Sequence, residues 1–154
     1  MLQRIQSIYL ILAAITLSLS LFLPIIEFTT AENQAYVLDV YSLSESNSGE
    51  SSSAEGKLGL LILIPLTVVS ILFTIFQFSN RKRQMTIGNL LYLMLAGIIT
   101  LMMFFIEGNK TNDLVTMGYG IGYFGPIAAL PFVFLANRGI KKDENLIKSL
   151  DRLR

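Results

Sequence analysis

The chain has 154 residues, 53 % hydrophobic and 15 % charged, with a mean hydropathy of +0.59, whereas a soluble domain carries roughly 25 % charged residues. It contains neither cysteine nor histidine, which excludes disulfides, thiolate or imidazole zinc sites, c-type haem attachment and catalysis by Cys or His. The formal net charge of +1 conceals a segregation of opposite charges into different segments.

A helix rises 1.5 Å per residue and a bilayer core is about 30 Å thick, so a span needs about 20 mostly apolar residues. The first such segment covers residues 5–26 (IQSIYLILAAITLSLSLFLPII). Its apolar stretch exceeds the roughly 7–15 residues of a signal peptide and runs into Pro24-Ile25-Ile26-Glu27-Phe28, so it reads as a retained span. The loop at residues 27–57 follows. Its first part predicts a small hairpin, with Ala35 to Leu43 pairing with Glu27 to Thr30 across residues 31–34. Its second part, Ser44 to Gly56, lacks apolar content and reads as a flexible acidic linker.

Three further spans follow at residues 58–78, 87–106 and 117–136. None of the four contains a charged residue, which speaks against proton relays and ion-coupled carriers, since these place ionisable groups inside the membrane. Pro65 lies in the second span and Pro126 and Pro131 in the fourth; each removes a backbone donor and predicts a kink. Gly118 and Gly122 are four apart, as are Gly125 and Ala129, and this small-residue spacing predicts close helix packing.

The tail at residues 137–154 reads as a basic amphipathic helix, with Ile140, Leu146, Ile147, Leu150 and Leu153 on one stripe and Asp143 and Glu144 in its first turn. Ten of the twelve basic residues fall on one side: Arg4, then Arg81, Lys82 and Arg83 between the second and third spans, then Arg138, Lys141, Lys142, Lys148, Arg152 and Arg154. Positive charge marks the cytoplasmic side, so both ends are inside. Arg81, Lys82, Arg83 and the six tail cations are the candidate contacts to anionic lipid headgroups or to another membrane protein.

Two motifs invite other readings. Thr116-Met117-Gly118-Tyr119-Gly120 matches a potassium-channel filter, but no pore helix precedes it. Gly120-Ile121-Gly122-Tyr123-Phe124-Gly125 matches the phosphate-cradling G-x-G-x-x-G turn, but no soluble βαβ unit surrounds it. Glu27 and Glu107, at corresponding ends of the first and third spans, are a candidate carboxylate pair, and Asn109-Lys110-Thr111 is a formal glycosylation sequon.

The opening Met1-Leu2-Gln3-Arg4-Ile5-Gln6-Ser7-Ile8-Tyr9-Leu10, the Arg81-Lys82-Arg83-Gln84 link, and the closing runs from Arg138 to Glu144 and from Ser149 to Arg154 resemble the domain-of-unknown-function family 4293. The resemblance covers essentially the whole chain. It implies a small four-span inner-membrane protein of Gram-negative bacteria and brings no activity, substrate or catalytic residue with it.

The sequence therefore leads to one all-α membrane domain, a four-transmembrane-helix bundle with a short extracytoplasmic β-hairpin and a C-terminal cytoplasmic amphipathic helix. The expected role is a non-enzymatic accessory or scaffolding subunit with no cofactor and no nucleic-acid partner. The alternative is a small carrier or channel for a neutral or lipid-like solute, prompted by the glycines and prolines of the fourth span.

Overall fold

The computed structural model describes residues 2–30, 34–45, 51–53, 57–77, 81–108 and 114–151. Helix α1, Leu2–Leu19, stops seven residues short of the expected end of the first span. At Ser20, Leu21 and Phe22 the amide bonds reach back three residues instead of four, tightening the last turn. Pro24 then offers no amide donor, and strand β1, Ile26–Thr30, starts two residues later.

The expected hairpin forms. Strand β2, Ala35–Leu38, runs antiparallel to β1 with Ile26 opposite Leu38 and Phe28 opposite Tyr36. The two rings stack with centroids 5.4 Å apart, a cross-strand pair of the kind that fixes register. The extended run does not continue to Leu43 as the composition predicted. The Asp39 amide donates to the Ser42 carbonyl at 2.9 Å, turning the chain through Val40 and Tyr41 into β3, Ser42–Glu45.

The serine-rich stretch also differs from the expected linker, because Ser51–Ser53 form β4 against β3. Ladder bonds are made by the backbone and need no apolar side chain, and Leu43, at the head of this stretch, packs on the core. With β5, Leu114–Tyr119, the antiparallel sheet has the order β4-β3-β2-β1-β5.

Helix α2, Lys57–Phe76, coincides with the second expected span. Helix α3, Arg81–Gly108, begins six residues before the third, so Arg81, Lys82 and Arg83 lie in its first turn. Helix α4, Ile121–Asp151, departs most. Met117, Gly118 and Tyr119, assigned to the fourth span, lie in β5 and pair with β1, while the tail expected as a separate helix continues α4 without a break.

Both α2 and α4 pack against α1, and both also pack against α3. Leu10, Ala13 and Leu17 of α1, Ile64 and Ile71 of α2, Leu91, Leu95 and Ile98 of α3, and Ala129 and Val133 of α4 fill the fully buried centre. The same cluster includes Ile26, Phe28, Leu38 and Val40, so the sheet closes one end of the helices. Buried hydroxyls in α2 are satisfied within the helix: Thr67 donates to the Leu63 carbonyl and Thr74 to the Ser70 carbonyl, each at 2.7 Å. Among the described residues two helices are long and apolar enough to cross a membrane, over Leu58–Phe76 and Arg83–Gly108, and the apolar part of α1, Ile5–Leu19, is shorter.

Candidate functional site

The end of the helices away from the sheet carries the cations and a set of polar ties. Gln6, buried near the start of α1, donates from Nε2 to Asp143 Oδ2 at 2.7 Å. Gln84, buried in the first turn of α3, donates to the Thr74 carbonyl of α2 at 3.1 Å. Asn137 of α4 donates from Nδ2 to the Gly88 carbonyl of α3 at 2.8 Å. That contact needs a glycine, because a Cβ at position 88 would overlap the Asn137 carboxamide oxygen. The oxygen is itself buried without a hydrogen-bond partner among the described residues.

Beside this contact, α3 and α4 leave a cleft of about 360 Å³ lined by Met85, Asn89 and Tyr92 from α3 and by Phe134, Asn137, Arg138 and Lys141 from α4. The spacings explain why these seven converge. Steps of four and three along α3, and of three, one and three along α4, each keep to one helix face. A shallower depression continues it past Arg138 and Lys141 to Lys142, Asn145 and Leu146. The arrangement is graded along the cleft: Phe134 and Tyr92 form an apolar part, and Arg138 and Lys141 lie one to two turns further along α4. Among the described residues no acidic side chain lines either depression. Guanidinium and ammonium groups together with the Asn89 amide and the Tyr92 hydroxyl supply hydrogen-bond donors suited to an anionic oxygen.

The expected packing residues divide. Gly122, Gly125 and Ala129 lie on α4. A Cβ at Gly122 would overlap the Leu23 carbonyl, one at Gly125 would overlap Ser20 Oγ and stand 2.7 Å from the Thr16 carbonyl, and Ala129 is fully buried. Gly118 is corrected: it faces Glu27 across the β1–β5 ladder, so Gly118 and Gly122 do not share a helix face. Helices α2 and α4 continue through Pro65, Pro126 and Pro131. Arg83 lies in a second groove with Phe73, Gln77, Thr86 and Ile87. Arg81, Lys82 and Lys148 lie within helices, whereas Arg152, Arg154 and the sequon lie outside the described residues.

The two motifs resolve in backbone terms. Thr116 to Tyr119 are ladder residues paired with β1, so their carbonyls do not form a filter. Gly120 does join a strand to a helix, as a phosphate turn would, but the amides there are taken. Gly120 donates to Ile25, Gly122 to Pro24 and Tyr123 to Gly120, at 2.9, 2.9 and 3.2 Å. Glu27 is exposed on β1, and among the described residues no group of three or more acidic side chains is placed to hold a metal ion.

Sequence reasoning named Arg138, Lys141 and Lys142 but not Met85, Tyr92, Phe134 or Asn137 as their neighbours. The signal was present as matched helical spacings on two segments, which only the α3–α4 pairing makes meaningful.

Fold and site together describe a mostly helical protein with, among the described residues, two long apolar helices, a small antiparallel sheet and a basic cleft at the opposite end. The family model for "Domain of unknown function (DUF4293)" matches residues 2–153, and the chain belongs to that family, as its terminal motifs indicated. No curated protein matches it.

Proposed function

We propose that the chain is a four-span protein of the bacterial inner membrane with both ends in the cytoplasm, acting as a non-enzymatic accessory or scaffolding subunit. The four helices form the bundle, and the five-stranded sheet stands outside. The observation that carries this reading is a belt of exposed apolar side chains on every helix: Ile8, Ile11 and Ile15 on α1, Ile62, Leu66 and Val69 on α2, Leu90, Leu93 and Phe104 on α3, and Ile127, Phe134 and Leu135 on α4.

In water such a continuous belt costs about 25 cal/mol per Å² and promotes association. In hydrocarbon it carries no such cost. Helix α1 gains reach from the turn at residues 20–23, and α4 supplies sixteen uncharged residues from Ile121 to Ala136, about 24 Å of rise. Hydroxyls bonded within α2 favour the same solvent, since lipid offers no partner. The cations at one end favour a cytoplasmic position for that end, and their density there, beside a chain without Cys or His, favours docking over chemistry.

The test is a carbonate wash of membranes combined with reporter fusions and affinity purification. The protein is expected to stay in the pellet. Alkaline phosphatase should be active when inserted at residue 48 and inactive at the C-terminus, and a stoichiometric membrane partner should co-purify. Release into the supernatant overturns the membrane reading, and recovery without a partner overturns scaffolding.

A further inference from the structure

We infer that the α3–α4 cleft is a discrete binding site for one anionic phospholipid, with the phosphodiester at Arg138 and Lys141 and an acyl chain running along Tyr92 and Phe134. This rests on the four-span reading and adds to it a defined site and ligand class. Phe134 is 54 % exposed, so the cleft opens sideways onto the belt that would face lipid, and not only towards water. From Phe134 to Arg138 and Lys141 α4 rises about 6 and 10 Å, so a phosphate held by the two cations leaves the attached acyl chain within reach of Phe134.

The charge is available. Among the described residues neither Arg138 nor Lys141 has an ion-paired or hydrogen-bonded partner. The nearby acid Asp143 accepts a hydrogen bond from Gln6 on α1, and neither it nor Glu144 lines the cleft. Asn137 is held against Gly88, which fixes the turn of α4 that presents Arg138 and Lys141. A free phosphate would satisfy the cations but leave Phe134 and Tyr92 uncovered. A phospholipid answers both parts of the lining.

Full-length protein in a non-ionic maltoside would be titrated with phosphatidylglycerol, with phosphatidylcholine and with inorganic phosphate. Bound lipid would be counted by native mass spectrometry and stability read by circular dichroism, since the chain has no tryptophan. One phosphatidylglycerol is expected to bind and to raise the melting temperature, with phosphatidylcholine and phosphate much weaker. The double variant Arg138→Gln, Lys141→Gln should weaken binding roughly thirtyfold, whereas Lys57→Gln, at the start of α2 on the sheet side, should leave it within about twofold.

If the double variant does not fold, the two single variants are read by mass spectrometry alone, and each should lose roughly fivefold. Equal binding of phosphatidylcholine, equal stabilisation by phosphate, or affinity unchanged by the Arg138 and Lys141 substitutions overturns the site. Each of these can occur while the protein remains in a carbonate-washed pellet, so failure of the site is distinct from failure of the membrane reading.

Discussion

Gln6 and Asp143, 137 positions apart, meet through a 2.7 Å hydrogen bond that ties the first turns of α1 to the basic extension of α4. Charge-assisted bonds of this kind contribute more than neutral ones. Gln6→Ala is expected to lower stability by about 1–2 kcal/mol, read as a lower melting temperature in detergent micelles. An unchanged melt would show that the two ends are held together by other contacts.

Gly88 and Asn137 form a pair that a double-mutant cycle should expose. Gly88→Ala drives a methyl into the Asn137 carboxamide and breaks its bond to the Gly88 carbonyl, with an expected loss of about 2 kcal/mol. Adding Asn137→Ala clears the space. The double variant is then expected to be no less stable than Asn137→Ala alone, and strict additivity of the two losses would refute the pairing.

The crossing of α1 and α4 behaves differently because one obstacle is backbone. Gly125→Ala should cost about 1–3 kcal/mol, and Ser20→Ala should not rescue it, since the Thr16 carbonyl still lies 2.7 Å from the added Cβ. Alone, Ser20→Ala should be neutral or stabilising by up to about 1 kcal/mol, because Ser20 Oγ is buried without a partner among the described residues. Thermal melts of the three variants distinguish these outcomes.

In the turn between β2 and β3, burial pushes the Asp39 carboxyl above its ordinary value of 3.8. The folded protein therefore binds this proton more tightly than the unfolded chain. Its contribution to stability is full below pH 3.8 and is lost as pH rises through the elevated folded value. Asp39→Asn is expected to raise stability at pH 7 and to give no gain below about pH 4. Melts across pH 4–8 check this, and a gain independent of pH would point to a cause other than the ionisation of Asp39.

Much of the helical pattern was legible because apolar length is a local property. Residues 58–78 read correctly to within two positions, and the β1–β2 hairpin was visible in the aromatic and β-branched run from Ala35 onward. The errors fall where partners distant in sequence decide the conformation. Met117 to Tyr119 look like the start of a span until β1 is known to pair with them. Residues 20–26 look like the end of one until Pro24 and the demand of β1 for its own register are weighed together. The serines of β3 and β4 carry no side-chain signal, because their strands are held by backbone bonds on one neighbour after another. The cations of the cleft were legible from charge alone, but Tyr92 and Phe134 were two unremarkable aromatics on separate segments.

The two prolines of α4 occupy only its sheet-side half, where they remove the ladder donors that the carbonyls of Gly122 and Ile127 would otherwise use. From Phe132 to Asp151 the helix contains no proline, and the Asn137–Gly88 and Gln6–Asp143 bonds fasten that half to its neighbours. The backbone ladder of α4 is thus interrupted only in the half that meets the sheet, and the half that presents Arg138 and Lys141 keeps an unbroken ladder and its two side-chain ties.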